Sequence, residues 1–249
     1  MIKRTLLILA VILCALLSNK VYSQNKNKIA ISTGFLQIKD DFNQGMVFNG
    51  AMMNFQYRHS LYFSSVELQY KPKMAIGVPL SKGMMAVNIN IAPVDISCLT
   101  PVYNSEQHLI KIGLNFATNY SYQSYPDLHA GRLFWFGEIG FSPVMQYKYR
   151  WSKSIIGINL QNSILGFASR PTSYNPYFYS LKFTDFLTNP HKNMQFGSLN
   201  KYNHTDLQIE YIPNKLKTSN FALGMEYIGA YYGTHYQSLN YYLQWRKTF

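Results

Sequence analysis

The last twelve residues of the chain, 238–249, alternate between apolar and polar side chains and constrain the fold more than any other stretch. Side chains two residues apart share one face of a β-strand, so this segment has an apolar, aromatic face and a polar face. The apolar face carries Leu239, Tyr241, Leu243, Trp245 and Phe249, with Lys247 as its one departure. A tilted strand of about this length is sufficient to cross the hydrocarbon core of a bilayer.

The same alternation recurs along the rest of the chain, which is expected of a barrel in which every strand has two different faces. Ten further segments follow it: 28–38, 47–58, 62–71, 85–91, 110–117, 133–141, 145–151, 156–161, 207–211 and 221–231. In most of them the second face is polar, although Phe134 and Phe136 make one segment apolar on both sides. The pattern predicts an all-β chain without a helical domain.

The closing segment resembles the last strand of a Gram-negative outer-membrane β-barrel protein, whose terminal aromatic residue is read by the barrel-insertion machinery. This resemblance is carried by Tyr241, Leu243, Trp245 and Phe249. It implies a transmembrane antiparallel up-and-down barrel in the cell outer membrane, with apolar side chains facing lipid and polar ones facing the lumen. Alternation also occurs in lipocalin-like barrels and sandwiches with the apolar side inward, and these soluble folds remain the alternative.

The strand number is expected to be about twelve, with ten as the alternative. The eleven alternating segments form an odd set, whereas single-chain bacterial barrels have an even number of strands. A further alternating segment at 177–183 brings the number to twelve and makes 184–203 a long outer loop. The connection 92–107 is long for a periplasmic turn, and Ser152-Lys153 is short for an outer loop, so ten strands remain open.

The N-terminal residues 1–23 have the parts of a secretory signal peptide: a basic start, an apolar run of about a dozen residues and small residues near Ser23. The run is too short for a spanning helix. We expect a mature barrel domain of residues 24–249. Cys98 is the single cysteine in that range, so no internal disulfide is expected to stabilise it.

Charged residues on the polar faces are predicted to line the lumen. They are Arg58, Glu67, Lys71, Lys111, Glu138, Lys148, Arg150, Asp206, Glu210, Glu226 and Arg246. Opposite charges in a narrow barrel are expected to pair, because an unpaired buried charge is costly. This predicts either a rigid, largely closed interior or a narrow, weakly selective pore. Trp135, Trp151, Trp245 and Phe249 are expected at the membrane interfaces.

Two classes of function follow from these features. The first is non-enzymatic: a narrow channel for transport, or a structural partner in an envelope assembly. The second is a lipid-modifying enzyme, such as a lipase or lipid A deacylase, with a site at the outer rim around His204 or His59. His204 and Asp206 share a strand face and suggest an orienting dyad or half of a metal site, whereas His59-Ser60 requires a turn. Catalytic residues, a metal and a cofactor are otherwise not predicted.

The formal charge of +12 limits the expected partners. The basic residues are spread singly along the chain, which argues against nucleic acid. Partners expected instead are outer-membrane lipids, lipopolysaccharide, the barrel-insertion machinery and an envelope protein. Basic residues near connections are expected either to contact lipopolysaccharide phosphates or to remain solvated surface charges, namely Lys153, Arg170, Lys182, Lys192 and Lys201.

Overall fold

The structure is a computed structural model, and it describes residues 26–63, 65–127, 132–152, 154–171, 184, 188–199, 201–213 and 218–249. The predicted signal peptide and the predicted strand at 177–183 lie outside these residues. None of the helices in the described ranges is long and apolar enough to cross a membrane.

The described residues form fifteen strands in one antiparallel sheet. The strands are β1 (Lys26–Asp40), β2 (Val47–Phe63), β3 (Val66–Tyr70), β4 (Lys73–Ser81), β5 (Met84–Met85), β6 (Val87–Ala92), β7 (Asp95–Asn104), β8 (His108–Tyr125), β9 (Arg132–Trp151), β10 (Ser154–Asn162), β11 (Leu165–Ser169), β12 (Gln195–Ser198), β13 (Tyr202–Pro213), β14 (Ser219–Tyr231) and β15 (His235–Thr248). Several of them are consecutive pieces of one interrupted pass, so that β3–β4, β5–β6–β7, β10–β11 and β12–β13 each run in one direction.

The sheet closes into a ten-pass barrel. β15 pairs antiparallel with β1 from Lys28↔Thr248 to Asp40↔Tyr236, so the predicted closing strand joins the first. β8 pairs along its length with β9, which completes the ring through β7 and β10. Closure leaves no long unpaired edge, as a strand-built membrane protein requires. The predicted all-β transmembrane barrel is therefore confirmed.

The expected number of about twelve strands is wrong, and the alternative of ten is correct. Segments 133–141 and 145–151, predicted as two strands around Pro143, are one continuous strand, β9. The backbone N–H of Ile164 donates to the carbonyl oxygen of Phe141, so Pro143, two residues further, also faces this neighbouring pass. The neighbouring pass is interrupted at this point, between β10 and β11. The missing N–H of proline therefore leaves no carbonyl group of a regular strand without its hydrogen bond.

Two predicted loops also contain strands. Most of the connection 92–107 is β7, which pairs with β3 and β8. Within the predicted outer loop 184–203, Gln195–Ser198 forms β12 and pairs with β11. β7 contains Pro101 and several small polar residues, and Pro93 precedes it, which hides its alternation.

The two ends of the barrel differ in the length of their connections. At the end that holds Lys26 and Thr248, consecutive passes are joined by connections of two to five residues, whereas the opposite end includes the longest connection, 170–194. Bacterial outer-membrane barrels have short periplasmic turns and longer external loops. We therefore assign the end with the chain termini as the periplasmic end and the other as the outer end.

The exterior of the barrel is apolar. Leu114, Met53, Leu223, Leu243 and Leu80 are each at least 55 % exposed, although they lie within strands and not in loops. Exposure of so many large aliphatic side chains to water is unusual, and lipid contact accounts for it. The side chains that alternate with them point inward and are mostly polar and buried.

Candidate functional site: the barrel interior

The outer half of the lumen is filled by apolar side chains, which we call the outer plug. Its buried members are Leu36, Ile38, Met52, Ala75, Phe136, Ala168, Tyr202, Ile228, Ala230 and Tyr236, followed towards the outer end by Phe42, Phe48, Ala86, Tyr125 and Phe134. Phe136 stacks on Tyr236 with ring centroids 4.7 Å apart, and Phe42 stacks on Phe134 at 5.3 Å. The plug is a packed hydrophobic core set across the axis of the barrel.

A buried ion pair anchors the outer plug at the outer end of β1. The guanidinium of Arg170 donates to Asp40 Oδ1 at 2.6 Å and to the carbonyl oxygen of Thr234 at 3.0 Å. It also lies over the rings of Phe42 and Tyr236. Arg170 is therefore engaged inside the barrel mouth, contrary to its expected contact with lipopolysaccharide, because the carboxylate of Asp40 draws it inward.

Below the outer plug lies a set of interlinked charged side chains, the central network, consisting of Lys73, Glu138, His204, Asp206, Glu226 and Tyr242. His204 Nδ1 lies 2.6 Å from Glu138 Oε1, and its Nε2 lies 3.1 Å from Glu226 Oε1. The ammonium of Lys73 forms an ion pair with the same oxygen of Glu226. Two carboxylates, one ammonium group and one imidazole ring thus share one buried chain of contacts.

Asp206 lies opposite Glu226 on the neighbouring strand, and Tyr242 binds its carboxylate. The Tyr242 hydroxyl donates to Asp206 Oδ1 at 3.1 Å and accepts from Gln208 Nε2 at 2.7 Å. The tyrosine ring lies against Gly224, where an added Cβ would come within 2.3 Å of it. A glycine at this position gives the ring its place on the inner wall. Beside the network is a cavity of about 50 Å³, room for a few water molecules.

The periplasmic end of the lumen is lined by a third group, the basic collar, made of Lys28, Arg58, Glu67, Lys111, Lys148, Glu210 and Arg246. Lys111 Nζ lies 2.5 Å from Glu67 Oε2, and Arg246 Nη1 lies 3.1 Å from Glu210 Oε1. Five cationic side chains face two carboxylates. The collar therefore carries an excess of positive charge after both ion pairs have formed.

The structure distributes the predicted lumen residues over these layers. Arg58, Glu67, Lys111, Lys148, Glu210 and Arg246 lie in the basic collar, Glu138, Asp206 and Glu226 lie in the central network, and Lys71 pairs with Asp95 between them at 3.3 Å. Arg150 differs from the prediction. It is exposed at the periplasmic rim, where its Nη1 donates to the carbonyl oxygen of Glu106 at 3.1 Å, because β9 ends at the next residue.

The predicted interface aromatics lie on the outside of the strands. Trp151 and Phe249 are 62 % and 63 % exposed at the periplasmic end. Trp245 also points outward on β15, and Trp135 lies near the outer end of β9. Both ends of the barrel thus carry an outward-facing tryptophan.

Neither histidine of the proposed enzyme site lies at an outer rim. His59 is near the periplasmic end of β2, and its Nδ1 contacts Asn27 Oδ1 at 2.7 Å. His204 is inside the lumen beneath the outer plug, bound to Glu138 and Glu226 and not to Asp206. Within the described ranges no group of three or more potential metal ligands is arranged to hold an ion. The rim site expected from the sequence is therefore not assembled.

Several residues that line the lumen were not predicted from the sequence. Lys28, Lys73 and Asp95 line the lumen but were not predicted there, since each stands at the end of a strand or beside an interruption. The outer plug was indicated by Phe134 and Phe136, which make β9 apolar on both faces. Inward apolar residues in β1, β2 and β15 give the same indication but were not recognised.

No protein-family model matches the chain, and no curated protein sequence matches it. Solved structures do. The outer membrane protease OmpT from Escherichia coli superposes with a TM-score of 0.53 at 6 % identity, covering 93 % of this chain and 99 % of that one. Neisserial surface protein A is similar at a TM-score of 0.37 and 7 % identity, covering 90 % and 97 % of the two chains.

A third structure, the COG4313 outer membrane channel from Pseudomonas putida F1, matches with a TM-score of 0.37 at 7 % identity, over 90 % of this chain and 95 % of that one. At such identities the likeness concerns the fold alone. These neighbours are outer-membrane β-barrel proteins of Gram-negative bacteria. The fold that the chain shares with the protease, together with the apolar exterior and polar interior described above, is that of an outer-membrane β-barrel protein.

Proposed function

We propose that this protein is a closed, non-enzymatic barrel that serves as a structural component of the outer membrane, and not as an open channel. The observation that supports this most strongly is the outer plug. A solute moving along the axis would have to displace Leu36, Ile38 and the stacked pair Phe136 and Tyr236, all of which are buried. Native packing of this kind does not open without a large cost in free energy.

The layers beneath the outer plug support the same proposal. The charged groups of the central network bind one another, and the cavity of about 50 Å³ beside them has room for only a few water molecules. An ion-conducting path needs a continuous polar lining with water along its length. Interlocked ion pairs across the lumen instead make the barrel rigid, which suits a structural role.

The proposal is tested by planar-bilayer recording on the purified barrel. We expect no steady unitary conductance from the wild-type protein, because the outer plug interrupts the aqueous path. Truncation of Phe136, Tyr202 and Tyr236 to alanine is expected to produce conductance above the wild-type level. Steady unitary steps from the wild-type barrel would contradict the closed state and favour the narrow channel.

The exterior of the barrel supports the proposed contacts with the barrel-insertion machinery and with the lipids of the outer membrane. Phe249 is 63 % exposed and its backbone N–H donates to the carbonyl oxygen of Asn27, so the terminal aromatic ring lies free beside the β1–β15 seam. We propose that the barrel-insertion machinery reads this strand, and that lipids and lipopolysaccharide contact the apolar band and the outer end. An envelope protein is the proposed partner in the assembly.

A further inference from the structure

We propose that the basic collar is a binding site for a small oxyanion, a phosphate, sulfate or carboxylate group held between Lys28, Arg58 and Lys148. The collar has five cationic side chains against the two carboxylates of Glu67 and Glu210. Both carboxylates already have a partner in Lys111 and Arg246. Three positive charges are therefore left over at one end of the lumen.

The three remaining cations lie at the same end of the lumen. Lys28 and Arg58 are directly opposite each other on β1 and β2, and Lys148 is near the periplasmic end of β9. The three interact electrostatically with one another, and each also interacts with Glu210. Among the residues that the structure describes, none of the three has an ion pair or a side-chain hydrogen bond. All three are only partly exposed, so water screens their mutual repulsion less than it does at a free surface. A bound anion would relieve that repulsion.

Few acidic side chains among the described residues belong to the collar. The chain contains eleven acidic residues, and ten of them lie within the described ranges. Of these ten only Glu67 and Glu210 are in the collar, whereas Asp95 binds Lys71 and Asp206 is bound by Tyr242 nearer the outer end. Glu106 is exposed at the periplasmic end. An anion from outside the chain is therefore the proposed source of the missing negative charge.

The chemistry of the three side chains fits an oxyanion. The guanidinium of Arg58 presents paired N–H donors that match two oxygens of a phosphate or carboxylate, and the two lysines add ammonium donors. The collar is at the periplasmic end of the barrel, near Lys26 and Ser152. That the anion enters from the periplasm rests on the proposed closed state of the barrel. Binding of the anion does not, because the collar lies on the periplasmic side of the outer plug whether the barrel is closed or conducts.

The test is isothermal titration calorimetry of the refolded barrel in an uncharged, phosphate-free detergent, with sodium phosphate as the titrant at constant ionic strength. We expect saturable binding at one site. Arg58→Gln and Lys148→Gln are each expected to weaken it by about tenfold or more, the value of a hydrogen bond to a charged group. Lys247→Gln is the matched control, since Lys247 lies at the same end of β15 but points outward, and it is expected to leave binding unchanged.

The unfolding equilibrium provides a second measurement that does not depend on calorimetric signal. Because the charges of Arg58 and Lys148 are partly buried and form no ion pair, both glutamine variants are expected to be at least as stable as wild type without phosphate. Phosphate should stabilise wild type more than either variant. Parallel titrations with sulfate, glutarate and a short-chain phosphatidic acid show which class of anion binds: an inorganic oxyanion, a carboxylate or a lipid phosphate. Absence of binding by every probe, or equal binding by wild type and both collar variants, would overturn the proposal. The bilayer recordings are independent of this outcome.

Discussion

Glu226→Gln is expected to lower the free energy of unfolding by about 3–5 kcal/mol, the usual cost of removing one partner from a buried ion pair. Glu226 is only 4 % exposed, and one of its oxygens contacts both the ammonium of Lys73 and His204 Nε2. Glutamine keeps the shape of the side chain but removes the charge. Lys73 then remains in the lumen without its anionic partner. Urea titration of the barrel in phospholipid vesicles measures the loss.

Two variants make this prediction specific. Glu106→Gln makes the same chemical change at an exposed position of a periplasmic turn and is expected to stay within about 0.5 kcal/mol of wild type. Adding Lys73→Met to Glu226→Gln removes the stranded cation and is expected to restore part of the stability. A loss below about 1 kcal/mol for Glu226→Gln would show that the central network does not hold the barrel together.

Leu223→Arg is expected to destabilise the barrel by about 2–4 kcal/mol in a bilayer, as arginine does at the lipid face near the membrane midplane. Leu223 is in the middle of β14, between Ile209 and Leu243 on the neighbouring strands, and is 59 % exposed. In a water-soluble barrel the same substitution would place a charge in solvent at no cost. Reversible unfolding from vesicles distinguishes the two cases.

Leu199→Arg is the control for this substitution. Leu199 is 57 % exposed, almost the same as Leu223, but it lies in the turn between β12 and β13 at the outer end. We expect a change of at most about 1 kcal/mol there, because charged residues near the interface cost little. Equal effects at the two positions would mean that the exterior of β14 does not contact lipid.

The exterior of the barrel was predictable from the sequence because it depends on a local property, the alternation of side chains along each strand. Tyr241, Leu243 and Trp245 point outward on β15, as their spacing indicates. The pairing of β15 with β1 also follows, since a barrel has to join its last strand to its first. The strand number did not follow, because Pro143 in β9 is typical of a strand boundary and only the interruption in the adjacent pass makes it acceptable.

The arrangement of the interior was not predictable, because it depends on which residues of different strands reach the same depth. His204 and Asp206 share a face of β13, which suggested a dyad. His204 instead contacts Glu138 on β9, two passes away, and Glu226 on β14. Such contacts are set by the register of several strand pairs together, and a shift of one residue in any pair would change them.

The division of the lumen into an apolar outer half and a charged periplasmic half is a property of all ten passes taken together. Each strand contributes only one or two side chains to a layer, as β1 does with Leu36 and Ile38 in the outer plug and Lys28 in the basic collar. In a single strand, the inward-facing residues are only slightly more apolar at the outer end than at the periplasmic end. The layers become recognisable only when the barrel brings the corresponding positions of all strands together.

The central claim, that apolar side chains face lipid and the lumen is enclosed, is tested most directly with a spin label on Cys98. This residue points outward on β7 between Leu68 and Leu114 and is the single cysteine after residue 24. In phospholipid vesicles we expect the label to relax with dissolved oxygen far more than with a water-soluble nickel complex, and a label at Leu199→Cys in a Cys98→Ser background to show the reverse. A label on Cys98 that favours the nickel complex would contradict the account.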